Sequence, residues 1–485
     1  MYRKIVGLAK DTLIYGFGAF ANTAISVLLL PVYGRYLTHA EYGAYSVLRV
    51  SIVVLAILYD LGISSTLVRF YFDEQADEDR RRLFGTAWVF SQVVALAITA
   101  ALLVLASPIS ALLVGEGGKP IYVQMIALQA FFATGIIVPQ TLFRARRQPW
   151  RFSAFSFANV IVMIATTTYF VVFMKMGLTG ALLGMLVSAF VFYVASLPIT
   201  LANLKVTVWK AKLGEILAFS LPLVPHALAG WVLNFADRLL LRRFVSLADI
   251  GVYSYGYNIG MIMSLLVLAT QKSWPQFVFS SHSEMEESSA KTLFSRTATY
   301  YWIFLCIAAL AVAVFAPELL ALVAGGAYAS AAPVVPVISM AYLFLGLYTV
   351  VGVGIGIMKK SKLYFLATGT GAAANISVNL LLIPRLGIVG AAVATVAAYA
   401  IMTAVILVLS QRLYYISYET VRMAVAFLLA LAAFYASTLI DAGPLATVAL
   451  KLSVVLAYMI ALVVSGVVKR AEIARVRKLV FGEAG

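Results

Sequence analysis

Charge, cysteine and histidine are all scarce in this chain, and each scarcity removes a class of function. Only 12% of the 485 residues are charged while 63% are hydrophobic, and the mean hydropathy is +0.98. A soluble domain cannot cover itself with so little polar surface. The one cysteine, Cys306, lies in the apolar run 302–314, so an intrachain disulfide is excluded and the thiol reads as a small core side chain. The histidines, His39, His226 and His282, are scattered without Cys or carboxylate neighbours at ligand spacing, so neither a metal site nor a cofactor is expected. Long polar stretches are missing too, which leaves no room for a sizeable soluble domain.

What fills the chain instead is a succession of apolar runs, each near the ~20 residues that a spanning helix needs. The runs predict spans at about 12–36, 43–69, 83–106, 121–143, 152–174, 178–202, 216–241, 250–279, 293–316, 334–357, 363–384, 388–411, 421–440 and 447–468, fourteen in all. The first has a basic start, but its apolar stretch 13–30 exceeds a signal-peptide core and lacks a small-residue cleavage site, so it reads as a retained helix. With the N-terminus inside, most Lys and Arg fall in the cytoplasmic breaks, among them Arg80–Arg82, Arg144, Arg146, Arg147, Arg151, Lys359, Lys360 and Lys362. The other side keeps Arg35, Arg49, Lys119, Lys175, Arg238, Arg242, Arg243, Arg385 and Lys451, so the positive-inside rule places both termini in the cytoplasm. The formal charge of +16 follows from orientation and attraction to anionic lipids. Spread over many short segments, it does not describe a nucleic-acid face. The tail 469–485 is basic and amphipathic and reads as an inner-leaflet anchor.

The chain also repeats itself. "GRYLTHAEYGAYS" (Gly34–Ser46) matches "RRFVSLADIGVYS" (Arg242–Ser254), aligning Arg35 with Arg243, Glu41 with Asp249, Gly43 with Gly251 and Tyr45 with Tyr253. "GLTGALLGMLVS" (Gly177–Ser188) matches "GIVGAAVATVAA" (Gly387–Ala398), and Arg146-Arg147 corresponds to Lys359-Lys360. Three landmarks in one order at nearly one offset predict two homologous six-helix lobes, 1–205 and 206–415, followed by two further helices, 416–468. An even number of spans per lobe keeps them parallel. That is the plan of an alternating-access transporter with its site near midplane.

The same stretches carry a family resemblance. "LLLPVYGRYLTHAEYGAYSV", "LYDLGISSTLVRFY", "FSLPLVPHALAGWVLNFADRLLLRRFVSLADIGVYSYGYNIG" and "ISVNLLLIPRLGIVGAAVATVAAY" resemble the polysaccharide-transport (oligosaccharide flippase) proteins of the multidrug/oligosaccharidyl-lipid/polysaccharide exporter superfamily, from about Asp11 to Tyr399. The resemblance implies an all-α, inverted-V polytopic transporter of the prokaryotic plasma membrane. It would flip a polyprenyl-pyrophosphate-linked glycan to the outer leaflet for cell-surface polysaccharide synthesis. In that setting its partners are membrane lipids, polysaccharide polymerase and chain-length machinery, and a coupling H+ or Na+, with the monomer as the working unit.

Ionisable residues inside a span are expensive and mark functional sites by default. At about 100° per residue, His226, Gly230, Asn234, Asp237, Arg238 and Arg242 share one half of predicted span 7. Arg35, Arg49, Asn234, Asp237, Arg238, Lys272, Asn375 and Asn379 are the candidate substrate contacts, and Asp60, Asp237 and His226 the candidate ion-coupling groups. Plainer readings stand beside these. Asp237-Arg238 serves equally as an ion pair fixing its helix; Arg35 and Arg243 as snorkelling residues at the outer rim; Asp60 as a partner of Arg69; and His226 as a hydrogen bonder at a helix start. Gly352, Gly354 and Gly356 read as close packing. A cationic-drug antiporter would prefer acids where this chain has arginines, and a membrane glycosyltransferase would need carboxylates in a substantial outer loop. A flippase for a lipid-linked peptidoglycan precursor shares the same architecture.

Overall fold

The computed structural model describes residues 28–146, 148–440 and 443–469, and among them every regular element is helical. Most of predicted span 1 and the basic tail lie outside the described residues. The chain runs through α1 (Leu30–Tyr36), α2 (His39–Asp60), α3 (Ile63–Asp73), α4 (Asp77–Val104), α5 (Ala106–Val114), α6 (Pro120–Ala145), α7 (Pro149–Thr168), α8 (Gly177–Asn203), α9 (Lys210–Ser220) and α10 (Leu223–Leu241). It continues with α11 (Leu247–Gly260), α12 (Met263–Glu284), α13 (Glu287–Val314), α14 (Ala316–Ala324), α15 (Val334–Val351), α16 (Val353–Ile357), α17 (Lys362–Leu413), α18 (Thr420–Thr438) and α19 (Pro444–Val464). Among the described residues, ten helices are long and apolar enough to cross a membrane, or twelve if each of two bent pairs is one span. The protein is an all-helical, multi-pass membrane protein. Fourteen spans exceeds that count, partly because α17 enters it as a single 52-residue helix. At ~1.5 Å per residue its ~78 Å is more than twice the hydrocarbon thickness, and Gly387 interrupts it with φ 55° and ψ −133°.

Several predicted spans are broken where the sequence explains it. Predicted span 2 divides into α2 and α3 at Leu61 and Gly62, both left-handed. Span 7 divides into α9 and α10, bent by 42° around Leu221-Pro222. Proline there lacks the N–H that would continue the helix. Span 10 divides at Gly352 into α15 and α16.

Contacts sort the chain into two compact units. The first comprises residues 1–255, 323–327 and 375–391, the second 256–322, 328–374 and 392–485. This partition differs from the sequence repeat: α9, α10 and most of α11 pack with the first unit. Its core holds Ile63, Leu67, Leu83, Phe84, Val138, Leu142 and Ile216. Outward positions are equally apolar, with Val104 82% exposed and Leu112 76%. In lipid such side chains cost nothing, so helices associate through close packing and internal hydrogen bonds.

The repeat has a backbone signature. The two 28-residue helices α4 and α13 start 210 positions apart, as do the nine-residue helices α5 and α14 that follow them. Gly177 and Gly387, also 210 apart, take φ of 54° and 55°. At α2 and α11 the shared motif is a capping box. Thr38 Oγ1 accepts from Glu41 N and the Glu41 carboxylate from Thr38 N; Ser246 and Asp249 make the same reciprocal pair.

Two residues beyond each capping acid stands a glycine, and the two helix starts cross there. A Cβ on Gly43 would collide with the Leu247 carbonyl oxygen, and one on Gly251 with the His39 carbonyl oxygen. His39 and Leu247 are themselves repeat partners, so this is one contact seen from both sides of a local two-fold relation. We expect Gly43→Ala to lower stability by about 1–3 kcal/mol through overpacking against backbone. Gly214→Ala, where the added atom meets nothing within 4 Å, should be neutral or stabilising. Thermal unfolding of the detergent-solubilised variants, followed by size-exclusion chromatography, checks the difference.

Candidate functional site

The two charges of α10, Asp237 and Arg238, are buried together. Asp237 is 2% exposed and Arg238 5%. Arg238 Nη1 donates to Asp237 Oδ1 at 2.8 Å and to the Asn234 carbonyl at 2.8 Å. Tyr253 of α11 donates its hydroxyl to the other carboxylate oxygen, and its ring lies 5.4 Å from the guanidinium. Sequence neighbours on a helix diverge by about 100°, yet this long guanidinium folds back and closes the pair. In this conformation Asp237 and Arg238 hold α10 against α11.

Helices α1, α2 and α11 also carry a tyrosine cluster. Tyr33, Tyr42, Tyr45 and Tyr255 are all buried; Tyr33 donates to Tyr45 at 3.1 Å, and Tyr255 to the Leu30 carbonyl at 3.0 Å. The rings of Tyr42 and Tyr255 meet edge to face at 5.5 Å. Sequence reasoning singled out Tyr45 and Tyr253 only as repeat landmarks. Their hydroxyls gave no signal, because the partners lie on other helices.

The remaining candidates fall in different surroundings. Arg49 is half-buried on α2. Trp231 of α10 donates its indole N–H to the Val50 carbonyl at 3.2 Å, so the helix carrying Arg49 is tied to the helix carrying half-buried Asn234, one turn beyond Trp231. Asp60 accepts from Ser64 N at 3.1 Å and Ser64 Oγ at 2.8 Å, fastening the first turn of α3. The expected pairing with Arg69 is thereby corrected: Arg69 lies over the Phe219 ring at 4.6 Å, drawn by its π face. Arg35 and Arg243 are exposed, as is His226 in the first turn of α10.

Asn375 and Asn379, one turn apart on α17, are fully buried within the first compact unit. Asn379 Nδ2 donates to the Asn375 carbonyl and to its Oδ1, at 2.8 and 3.0 Å. That leaves Asn375 Nδ2 and Asn379 Oδ1 without partners among the described residues. A buried unpaired amide is costly and invites a polar guest. Among the described residues no three His, Cys, Asp or Glu side chains gather as a metal site.

Lys272 is exposed and belongs to the second unit. Nearby residues Gln271 and Trp274 line a cavity of about 220 Å³ with Phe279, Tyr348, Tyr364 and Thr349. Gly352 and Gly356 form part of its wall; Gly354, against Ser410, and Gly352, where an added Cβ would meet Tyr364 at 3.1 Å, pack closely as the spacing predicts, while Gly356 makes only ordinary contact with Phe279. The Trp274 indole N–H has no partner among the described residues, although the ring is 7% exposed.

Comparison with known proteins sets this geometry in context. Residues 8–278 match the family described as "Polysaccharide biosynthesis protein". The chain is 24% identical over 181 residues to "Probable low-salt glycan biosynthesis flippase Agl15" of Haloferax volcanii, covering 37% of this chain and 38% of that relative. It therefore spans well under half of that relative's length. Among solved structures it is similar in fold to "Lipid II flippase MurJ, inward closed conformation", with a TM-score of 0.75 at 13% identity, covering 92% of this chain and 98% of that one. The MATE transporter VcmN of Vibrio cholerae follows at a TM-score of 0.58, 17% identity, and coverage of 84% and 96%.

The ion pair makes a distinct forecast. Arg238→Met strands a buried carboxylate and should cost about 3–5 kcal/mol, whereas Asp237→Asn with Arg238→Met should recover much of it. Equal melting temperatures for single and double variants would remove the pair from its structural role.

Proposed function

Because the chain belongs to the polysaccharide biosynthesis protein family, we propose that it flips a polyprenyl-pyrophosphate-linked oligosaccharide from the cytoplasmic to the outer leaflet of a prokaryotic plasma membrane. The observation that carries this reading is the α2–α10 junction. There Trp231 bonds the Val50 carbonyl and ties the helix that carries half-buried Arg49 to the helix that carries half-buried Asn234. An anionic pyrophosphate crossing an apolar medium needs such a cation with hydrogen-bonding neighbours. The hydrocarbon tail can remain in lipid.

Arg49 takes the pyrophosphate in this proposal, with Arg35 receiving it at the outer rim. Asn375, Asn379 and the aromatic cavity around Trp274 suit hydroxyl-rich sugars, through amide hydrogen bonds and ring stacking. Arg238 enters only if α10 moves and releases it from Asp237, the same event that would free Asp237 to exchange a coupling ion. Two lobes of repeated sequence, 1–205 and 206–415, would alternate access around this path, with both termini cytoplasmic.

Precursors of peptidoglycan carry the same pyrophosphate on the same tail, and likeness to the MurJ fold keeps them as the second substrate to test. A cation-coupled drug antiporter is the third reading to test, since the buried or half-buried charges along α2 and α10 include the acids Glu41, Asp60 and Asp237 as well as Arg49 and Arg238.

In proteoliposomes carrying a fluorescent undecaprenyl-pyrophosphate disaccharide, Arg49→Ala should slow leaflet exchange about tenfold, the loss of roughly one charge-assisted hydrogen bond. The variant should keep the wild-type melting temperature. Exchange at the wild-type rate would refute the assignment of Arg49.

A further inference from the structure

In the first unit, three sequence breaks that orientation alone explained come together around a hollow of about 510 Å³. It is lined by Tyr71, Arg80, Arg81, Arg146, Gln148 and Asn203, with Asp77 at its edge. Three guanidiniums thus face one space against a single carboxylate, and that carboxylate is 92% exposed on its side chain. Like charges lining one space repel, and a negative guest among them relieves that repulsion.

Each arginine is tethered from behind. Arg80 Nε donates to the Glu74 carbonyl at 2.9 Å, its Nη1 reaches Asp77 at 3.3 Å, and its guanidinium lies 4.7 Å from the Tyr71 ring. Arg81 Nη2 donates to the Ala202 carbonyl at 3.0 Å, at the C-terminal end of α8. Arg146, which follows α6, donates through Nη1 to Asn203 Oδ1 at 2.6 Å. Asn203 Nδ2 is itself bonded to the Ile199 carbonyl at 2.8 Å, which turns its oxygen toward Arg146. A guanidinium has five N–H donors. Arg81 and Arg146 each spend one on the described residues and keep a planar edge of the kind that grips a phosphate with two parallel bonds.

We infer that this hollow binds a phosphate-bearing anion at the membrane face, gripped by Arg81 and Arg146 with Arg80 supplying further charge. Basic pockets between helices on the cytoplasmic side of membrane proteins receive lipid headgroups in this way. The site is separate from the proposed transport path and does not depend on that reading. Two membrane molecules carry the required chemistry: an anionic phospholipid, and a polyprenyl pyrophosphate waiting in the inner leaflet.

The test uses the full chain in phosphatidylcholine nanodiscs, titrated separately with phosphatidylglycerol, undecaprenyl pyrophosphate and inorganic pyrophosphate, with native mass spectrometry counting what stays bound. Arg81→Gln with Arg146→Gln should weaken retention of at least one phosphate lipid about tenfold, while Arg151→Gln should not. Preference for phosphatidylglycerol identifies a structural lipid, and preference for undecaprenyl pyrophosphate identifies a loading site. Phenylglyoxal labelling of unmutated protein gives a reading independent of variant folding: phosphate ligands should protect Arg81 and Arg146. Unchanged retention in the double variant, or no protection by any of the three ligands, overturns the proposal.

Discussion

The crossing of α2 and α11 at Gly43 and Gly251 is the constraint on which the first unit's arrangement depends. Each helix starts with a capping box that fixes its first turn, and each then offers a position without a Cβ to the other's backbone carbonyl. Such an approach is sharply limited by sterics, since a single methyl on either side meets main chain rather than a movable side chain. It also aligns what lies beneath. Tyr255 reaches the Leu30 carbonyl, Tyr42 packs on Tyr255, and Tyr253 meets Asp237. The polar interior of this unit is assembled from the crossing downward.

Within lipid, that polar interior obeys a stricter rule than a soluble core. No water stands ready to satisfy a stranded group, so a buried charge must find its partner in the protein. Asp237 and Arg238 do so by closing on each other, with Tyr253 and the Asn234 carbonyl completing the set. This gives the pair a holding role in the conformation seen. The buried orphans on Asn375, Asn379 and Trp274 are the complementary case, polar groups whose partners are absent from the described residues.

Much of this was legible in the residues because the signals are local. Apolar runs marked the membrane helices, and the aligned Glu41/Asp249 and Gly43/Gly251 marked the repeat, although not that its two copies touch there. The break at Leu61-Gly62 was less visible, since hydropathy does not register a bend that keeps its apolar character. Asp60 illustrates the limit more sharply. Its charge suggested a distant arginine, whereas a serine four residues on was the nearer donor. The basic hollow was hidden for another reason: Arg80, Arg81 and Arg146 fitted the orientation rule fully, and only their convergence in space gives them a second meaning. The equivalence of α5 with α14 was likewise missed, because length and place repeat there more than sequence does.

If transport proceeds by the proposed alternation of lobes 1–205 and 206–415, which carry α2 and α11, the glycine crossing between those helices must part, and the chain is suited to testing this, since its one cysteine, Cys306, is buried. With Cys306→Ala as background, Ala40→Cys and Ala248→Cys place thiols in the first turns of α2 and α11 beside the crossing. A short reducible bifunctional thiol reagent then staples the two helix starts together. If the crossing must part, stapled protein in proteoliposomes stops exchanging the lipid-linked disaccharide and regains exchange when the staple is reduced. Exchange that continues undiminished through a fully stapled crossing would contradict the account.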